Sequence, residues 1–361
     1  MQSVYNFNAG PAMLPPEVME IAKDEFLNYK DTSMSIMEMS HRGTHFLEIL
    51  NTAEENLKSL LKIPDTHMVA FFPGGATLQF SAVPMNFLYG DEKAAYSLTG
   101  VWANKAFLEA KKLGYKVESI FDGKDNSYTE VPTEFSPETL EEFKYLYITS
   151  NNTIYGSRYA NFPKGKNLHL VADMTSDLLS REINVSDFGY IFAGAQKNIG
   201  PSGLTIGIVQ KDLLEKKKSV VPMLLDFKVY FENKSLYNTP PTYSIYIASL
   251  VFKWCIKKGG ISALEKINEE KANMLYTYID NSDYYKAPIH KNSRSTMNVV
   301  FMLGKPELVK KFNSEAEKEG LHGLAGHRDV GGLRASIYNA MPIEGVKKLI
   351  DFMKSFKDNN I

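Results

Sequence analysis

Cysteine is almost missing from this chain of 361 residues, because Cys255 is the only one. It lies in the apolar stretch LVFKWCIKKGG, which favours a buried thiol in the protein core. A single cysteine excludes a disulfide framework, and no group of cysteine and histidine residues has the spacing of metal ligands. We therefore expect neither disulfide bonds nor a metal site.

Long hydrophobic runs and one-sided charge are also lacking. No window offers the ~18 uncharged apolar residues of a membrane helix, and no opening stretch has the pattern of a signal peptide. The formal net charge is −1, and positive and negative residues are interspersed without a basic face. Neither a membrane nor nucleic acid is therefore an expected partner, and we predict a cytoplasmic protein.

The chain does contain a regular alternation of strand-like and helix-like segments. Six short runs, rich in apolar or aromatic residues and bounded by turn residues, predict buried strands at residues 68–72, 93–98, 144–150, 168–173, 189–195 and 203–209. Helical patterns lie between several of them, such as NKAFLEAKKLG, in which Gly114 is the stop signal. Crossover helices between strands imply an α/β fold with a mostly parallel sheet.

The last third of the chain predicts a second, smaller α/β lobe. A long helix pattern follows TPPT and ends at two consecutive glycines, which are typical of a helix C-terminus. Beyond it come helix, strand, helix, strand and helix patterns in turn. We place residues 16–258 in a large lobe, and residues 1–15 and 259–361 in the small lobe.

Two ionisable residues follow neighbouring strand patterns. Lys197 comes soon after residues 189–195 and Asp173 ends residues 168–173, so both are expected at the rim where open parallel sheets bind ligands. A desolvated lysine loses its proton readily, which suits Schiff-base chemistry, and a carboxylate can keep the pyridine nitrogen of pyridoxal phosphate protonated. Taken alone, Lys197 is more often a lysine that reaches water, and Asp173 is equally well explained as a turn or helix-capping residue.

A glycine turn between a strand and a helix offers a binding site for phosphate. In FFPGGATLQF, residues 71–80, exposed amides at the helix start would form an anion-binding cup from Gly74, Gly75, Ala76 and Thr77. The stretch has neither the Gly-Lys-Ser/Thr of a P-loop nor the Gly-x-Gly-x-x-Gly of a dinucleotide site. A plain strand-to-helix turn therefore explains it as well.

Two more strand ends carry residues suited to an aromatic cofactor. Trp102 follows YSLTGV and offers a ring for stacking, although a tryptophan is more often part of the core. Thr153 follows YITSNN and offers a hydroxyl to a ring substituent or a phosphate.

The pair His-Arg occurs in two glycine-containing stretches. MSHRGTHF carries His41 and Arg42, and LAGHRDVGGLRAS carries His327, Arg328 and a further arginine, Arg334. A guanidinium binds carboxylate or phosphate through paired hydrogen bonds, so two such clamps suit a substrate with an anion at each end. The alternative is that these arginines lie on the surface in contact with water. That alternative is weaker for Arg334, because it lies inside an apolar strand pattern.

Several separated motifs resemble, in order, those of the phosphoserine aminotransferase family, which lies within class V of the pyridoxal-phosphate-dependent aminotransferases. They are NFNAGPAMLP, MEMSHRG, PGGATLQFSAVPMN, VADMTSD, AGAQKNIGPSG, NTPPTY and GHRDVGGLRASIYNAMP. The resemblance runs nearly end to end. It implies the aspartate-aminotransferase fold (fold type I), with a mostly parallel seven-stranded sheet in the large lobe, and a homodimer with active sites at the subunit interface.

The resemblance also assigns residues to the cofactor, pyridoxal 5'-phosphate. It implies that Lys197 forms the Schiff base and that Asp173 pairs with the pyridine nitrogen. Trp102 is implied to stack on the ring, and Thr153 to bind near its phenolic oxygen. The implied phosphate ligands are Gly75, Ala76, Thr77 and Gln196, joined by Asn238 and Thr239 from the other subunit. Some family members have an arginine where this chain has Thr77, so in this chain backbone amides and the Thr77 hydroxyl must bind the phosphate without that arginine.

On the substrate side, the resemblance implies that Arg334 clamps the carboxylate. The substrate phosphate or the distal carboxylate of glutamate is implied to bind to His41, Arg42, His327 and Arg328. The implied reaction converts O-phospho-L-serine and 2-oxoglutarate reversibly to 3-phosphohydroxypyruvate and L-glutamate in serine biosynthesis. Family members often also transaminate 4-phosphohydroxy-L-threonine in pyridoxine biosynthesis, and the sequence leaves that second activity open.

Three other functions remain to be weighed. A desulfurase or lyase with the same cofactor needs an exposed, mobile cysteine, which the apolar context of Cys255 does not offer. A nicotinamide dehydrogenase on a doubly wound sheet lacks its glycine fingerprint here. A non-catalytic relative that only binds or scaffolds is not excluded by any motif.

Overall fold

The structure, a computed structural model, describes residues 4–136, 140–164, 168–215 and 221–360. Its strands in chain order are β1 (Tyr5–Asn6), β2 (His67–Pro73), β3 (Lys93–Leu98), β4 (Lys116–Asp122), β5 (Tyr145–Thr149), β6 (Asn151–Asn152), β7 (Ser157–Arg158), β8 (His169–Asp173), β9 (Tyr190–Gly194), β10 (Leu204–Gln210), β11 (Tyr285–Lys286), β12 (Asn298–Leu303), β13 (Leu321–His322) and β14 (Leu333–Ser336).

The helices alternate with these strands as the sequence predicts. They are α1 (Pro16–Asp24), α2 (Thr44–Leu61), α3 (Thr77–Phe87), α4 (Val101–Lys112), α5 (Lys211–Glu215), α6 (Phe227–Glu232), α7 (Thr242–Lys257), α8 (Gly260–Asp280), α9 (Val309–Lys318) and α10 (Ile343–Asp358). Among the described residues, no helix is long and apolar enough to cross a membrane.

Seven strands form the central sheet, in the order β2-β10-β9-β8-β5-β3-β4. Neighbours from β9 to β4 pair in parallel, whereas β10 runs antiparallel to both β9 and β2. The mostly parallel seven-stranded sheet is therefore confirmed, and each of the six predicted strand runs lies within one residue of an observed strand at both ends.

The seventh strand, β4, has no counterpart among the predicted runs. Its sequence KVESIFD carries three charged side chains, and most of its residues are exposed or half-buried. It lies at the edge of the sheet, paired only with β3. Edge strands commonly carry charge because it discourages pairing with other chains, so the apolar signal of a central strand is missing here.

The central strands are buried on both faces, which is why they read as continuous apolar runs. One face packs against α1, α2 and α7, where Ile148 and Ala172 share a core with Leu57 and Phe252. On the other face, Tyr147 lies in a second core with helix residues of α3 and α4. Burial of a large apolar side chain such as Ile148, Leu57 or Phe252 contributes about 1.5–3 kcal/mol, so the two covered faces stabilise the sheet that carries the site.

The C-terminal part of the chain forms a smaller lobe around the antiparallel sheet β11-β12-β14 and helices α8, α9 and α10. The N-terminal strand joins this lobe, since β1 pairs in parallel with β13 through Tyr5 and Leu321. Phe7 is fully buried in the same core. The division at residues 16 and 259 agrees with this pairing and stays a prediction.

Buried asparagines join the two lobes directly behind Lys197. The backbone N–H of Asn339 donates to Oδ1 of Asn198 at 3.0 Å, and its side chain donates to the carbonyl of Leu179 at 2.9 Å. The side chain of Asn268 donates to Oδ1 of Asn339 at 2.8 Å. These bonds fix the segment after β14 against the residue that follows Lys197.

We expect Asn339→Ala to lower the free energy of unfolding by about 1–3 kcal/mol, because it leaves buried polar groups on both lobes without partners. Denaturant unfolding measures the change. The control is Asn233→Ala, which removes an exposed side chain that bonds only within its own helix and should cost under about 0.5 kcal/mol. Equal losses for the two variants would contradict this account of the lobe contact.

Candidate active site

A cavity lies at the carboxyl ends of the parallel strands, where α/β sheets bind their ligands. Its walls come from the turns after β2, β3, β5, β8 and β9. The lining residues are Gly75, Ala76, Thr77, Phe80, Trp102, Thr149, Asn151, Thr153, Asp173, Thr175, Ser176, Gln196 and Lys197. All the residues that the resemblance assigns to the cofactor within one subunit therefore surround one cavity. Gly74 of the predicted cup does not line it, because its N–H donates to the carbonyl of Gly203 at 3.0 Å.

Lys197 is a buried lysine at the centre of this cavity. Its side chain is only 9% exposed, and Nζ donates a hydrogen bond to the hydroxyl of Thr153. Burial lowers the pKa of the Lys197 amine to about 8, an effect that the Asp173 charge opposes and the Arg334 charge reinforces. The amine thus loses its proton close to physiological pH, which a nucleophilic amine requires.

Asp173 ends β8 next to the strand that leads to Lys197. Burial raises the pKa of Asp173 above its usual range, while hydrogen bonds from Thr175 and the charge of Lys197 oppose that rise. One of those bonds is the backbone N–H of Thr175, which donates to Oδ1 of Asp173 at 2.9 Å. The carboxylate is therefore aimed and partly stabilised by its surroundings, and it suits a buried cationic partner.

The phosphate cup lies where the turn after β2 meets the start of α3. Gly74 adopts a positive φ of 96°, which favours glycine, and no side chain caps the first turn of α3. Nearby, a Cβ on Gly194 would come within 2.7 Å of the side-chain oxygen of Gln196. Uncapped amides beside a Gln196 amide are the donors that a phosphate group needs.

Trp102 lies in the first turn of α4, which begins after Gly100. A Cβ on Gly100 would be 2.7 Å from Oδ1 of Asn152, so the turn leaves no room for a larger residue. The ammonium of Lys105 lies 4.7 Å from the centre of the indole ring. The indole borders the cavity and offers it a flat aromatic surface.

Arg334 lies on β14 of the small lobe and contacts the cavity wall at Thr153, although it does not itself line the cavity. Its Nη1 donates to the carbonyl of Thr153 at 3.4 Å, and its Nε is buried without a hydrogen-bond partner in the described structure. Burial lowers the pKa of Arg334, but guanidinium keeps its charge at ordinary pH. A half-buried cation with an unused buried donor beside Lys197 is suited to a carboxylate ligand.

The remaining predicted site residues do not line this cavity in the single subunit. The side chain of Arg328 is 91% exposed, and Arg42 and Thr239 are exposed as well. His41 has a buried Nε2 without a partner among the described residues. The predicted site residues that stay outside the cavity wall are His41, Arg42, Asn238, Thr239, His327, Arg328 and, next to the wall, Arg334.

The cavity also contains residues that sequence reasoning missed. Thr149 has a buried hydroxyl without a hydrogen-bond partner in the described residues, and the side chain of Asn151 donates to Ser176 at 2.8 Å. Thr149, Asn151, Thr175 and Ser176 lie in the same strand-end stretches as Thr153 and Asp173. Their position after strands marks them as candidates, but residue type alone does not show which side chains face the cavity.

The cavity residues suit pyridoxal phosphate: a reactive amine, a buried carboxylate, a flat aromatic wall and an anion cup converge on it. A family model described as aminotransferase class-V matches residues 4–349. The chain therefore belongs to the class-V aminotransferases, a family whose cofactor is pyridoxal phosphate.

Comparison with individual proteins identifies one family within class V. The phosphoserine aminotransferase of Leptospira biflexa is 56% identical over 357 residues, covering 99% of this chain and 98% of the relative. A structure reporting radiation damage of the Schiff base in phosphoserine aminotransferase has a TM-score of 0.95 at 47% identity, covering 99% of this chain and all of its own. The pyridoxal-phosphate-bound enzyme of Trichomonas vaginalis gives 0.92 at 39% identity, with 98% and 100% covered.

Within class V, the chain belongs to the phosphoserine aminotransferase family. The resemblance carried by its motifs and the predicted fold type I are confirmed. The roles assigned to individual site residues stay predictions.

We expect the amine of Lys197 to react with formaldehyde and a borohydride reagent in the cofactor-free protein with an apparent pKa of about 8. Asp173→Asn should lower that pKa, because it removes the negative charge that favours the ammonium form. Arg334→Gln should raise it, because it removes a repelling positive charge. Peptide mapping of methylation at several pH values measures all three, and shifts in the same direction in both variants would contradict this electrostatic account.

Proposed function

We propose that the protein catalyses reversible transamination between O-phospho-L-serine and 2-oxoglutarate, giving 3-phosphohydroxypyruvate and L-glutamate in serine biosynthesis. The observation that carries the proposal is the buried Lys197 amine beside the Asp173 carboxylate at the rim of the sheet. The names of relatives that are 46–56% identical over nearly the whole chain support the choice of substrate.

Pyridoxal 5'-phosphate, when bound, supplies an aldehyde carbon and an electron-withdrawing pyridine ring. We infer that Lys197 Nζ holds the aldehyde carbon covalently and that the Asp173 carboxylate holds the protonated ring nitrogen. Trp102 would cover one face of the ring and the hydroxyl of Thr153 would bind near its phenolic oxygen. The cup of Gly75, Ala76, Thr77 and Gln196 would hold the phosphate, with the partner copies of Asn238 and Thr239 completing it.

Lys197 also moves a proton in this proposal. With the cofactor and substrate bound, a neutral Lys197 amine would accept the proton from the substrate α-carbon. A pKa of about 8 leaves a fraction of the amine neutral at pH 7 and most of it neutral above pH 8. Activity should therefore rise with pH through this range.

Substrate recognition requires two anion clamps. Arg334, with its unused buried Nε, would bind the α-carboxylate through paired hydrogen bonds. His41, Arg42, His327 and Arg328 would receive the phosphate of phosphoserine and, in the second half of the reaction, the distal carboxylate of glutamate.

The clamp also calls for a homodimer, because these four residues stay outside the cavity wall of one subunit. A segment just before His41 exposes large apolar side chains, between 40% and 76% exposed, at Met19, Ile21, Phe26, Leu27, Met34 and Met37. Monomeric proteins rarely expose such patches, so the segment supports contact with a second copy. Sedimentation as a monomer at micromolar concentration would contradict this part of the proposal.

A desulfurase or lyase remains the alternative with the same cofactor. Cys255 is fully buried, and burial raises the pKa of its thiol to about 12. A thiol in that state neither ionises nor reaches a substrate, so Cys255 does not support the alternative. The cytoplasmic location stays a prediction, and a second activity on 4-phosphohydroxy-L-threonine stays open.

Lys197→Ala should lower steady-state turnover by at least about 10²–10⁴-fold, because it removes both the covalent anchor and the proton carrier. The assay offers 2-oxoglutarate with phosphoserine, phosphohydroxythreonine, serine or alanine as amine donor. The wild type should prefer phosphoserine to serine and alanine, and the phosphohydroxythreonine assay decides the second activity that the sequence leaves open. The control is Lys211→Ala, an exposed lysine at the start of α5, which should keep wild-type turnover.

Two results would reject the proposed reaction. Near-normal turnover by Lys197→Ala would remove the role of this lysine. A wild-type preference for serine or alanine over phosphoserine would remove the proposed substrate.

Arg334→Lys should weaken binding of phosphoserine and of glutamate by about 1–3 kcal/mol, because lysine keeps the charge but loses the planar fork. The control is Arg294→Lys, which alters an arginine paired with Asp280 through bonds of 2.7 Å in the small lobe. Its substrate affinity should match the wild type. Unchanged affinity in Arg334→Lys would place this side chain outside the substrate clamp.

A further inference from the structure

Thr175 lies two residues beyond Asp173 and acts on its carboxylate through both backbone and side chain. The backbone N–H of Thr175 donates to Oδ1 of Asp173 at 2.9 Å, and the neighbouring Thr175 side chain also lowers the pKa of that carboxyl group. Thr175 is 9% exposed and lines the cavity. Among the described residues that shift the pKa of Asp173, only Thr175 does so through hydrogen bonding.

The direction of the Thr175 hydroxyl is fixed by a third bond. The backbone N–H of Gly194 donates to Oγ1 of Thr175 at 3.1 Å. A hydroxyl that accepts from this N–H has its single proton free to donate, and the carboxylate of Asp173 is the acceptor beside it. The bonds run from Gly194 through Thr175 to Asp173, and Gly194 ends the strand that leads to Lys197.

This arrangement offsets part of the free-energy cost of burying an ionised carboxylate. Burial raises the pKa of Asp173 and the charge of Asp177 adds to the rise, whereas the backbone and side chain of Thr175 and the charge of Lys197 lower it. A protonated Asp173 could not pair with a protonated ring nitrogen, so the cofactor site needs the ionised form. Bonds arranged in a chain polarise one another, which strengthens the last donor.

We propose that Thr175 is a positioning residue that keeps the Asp173 carboxylate ionised and aimed at the cofactor, through the hydroxyl that Gly194 orients. The inference rests on the proposed function, because it concerns the partner of the pyridine nitrogen. Thr175→Val keeps the shape of the side chain and removes the hydroxyl. Thr175→Ser keeps the hydroxyl and removes only the methyl group.

The test is the dissociation constant of pyridoxal 5'-phosphate, followed by absorbance across the pH range in which Asp173 titrates. Cofactor affinity depends on ionised Asp173, so it is present above the pKa of this group and is lost as pH falls through it. Thr175→Val raises that pKa, so the loss should begin about one pH unit higher. Affinity should be about tenfold weaker than wild type below both midpoints and unchanged well above them. Thr175→Ser should follow the wild-type curve.

A matched control separates this effect from a general loss of stability. Tyr285→Phe removes a buried hydroxyl in the small lobe that donates to the carbonyl of Met353 at 2.8 Å. It should lower the melting temperature and leave the midpoint of the affinity curve in place. Thr175→Ala removes the same hydroxyl and replaces Thr175→Val if that variant does not fold.

The outcomes distinguish this inference from the proposed function. An unchanged midpoint in Thr175→Val, or an equal shift in Thr175→Ser, would overturn the role of the hydroxyl while wild-type binding stands. A wild type that binds no pyridoxal phosphate at any pH would overturn the proposed function, and this inference with it.

Discussion

The site depends on one electrostatic constraint, the burial of an amine and a carboxylate at the ends of adjacent strands. Lys197 is 9% exposed and Asp173 is 5% exposed. Desolvation disfavours the charged form of both groups, and each charge favours ionisation of the other. The result is a lysine that gives up its proton near physiological pH beside a carboxylate that other groups must keep ionised. A surface pair would have neither property, because water would screen both charges.

The rest of the fold serves this pair. The strand order brings β8 beside β9, and apolar cores cover both faces of the sheet that carries the rim. The small lobe contributes a positive charge to the site, because Arg334 lowers the pKa of Lys197. Buried asparagines hold that lobe against the residue after Lys197, so the position of Arg334 and the pKa of Lys197 are linked through the same contact.

Much of the fold could be predicted from the sequence because strands buried on both faces must be apolar throughout. That reasoning fails at β4, whose edge position admits charge. Site residues at strand ends could be predicted where an ionisable side chain follows an apolar run, as Lys197 and Asp173 do. Thr175 was missed because a threonine in a turn looks ordinary until its hydrogen bonds are known. For His41, Arg42, His327 and Arg328, residue types alone suggest an anion clamp, but none of the four lines the cavity in the single chain.

The covalent anchor is the central claim, and one measurement tests it most directly. The protein is saturated with pyridoxal 5'-phosphate, reduced with sodium borohydride and digested, and the modified peptide is identified by mass spectrometry. The account predicts a pyridoxyl group on Lys197, in the peptide that contains FAGAQKNIGPSG. Modification of a different lysine, or no modification, would contradict it.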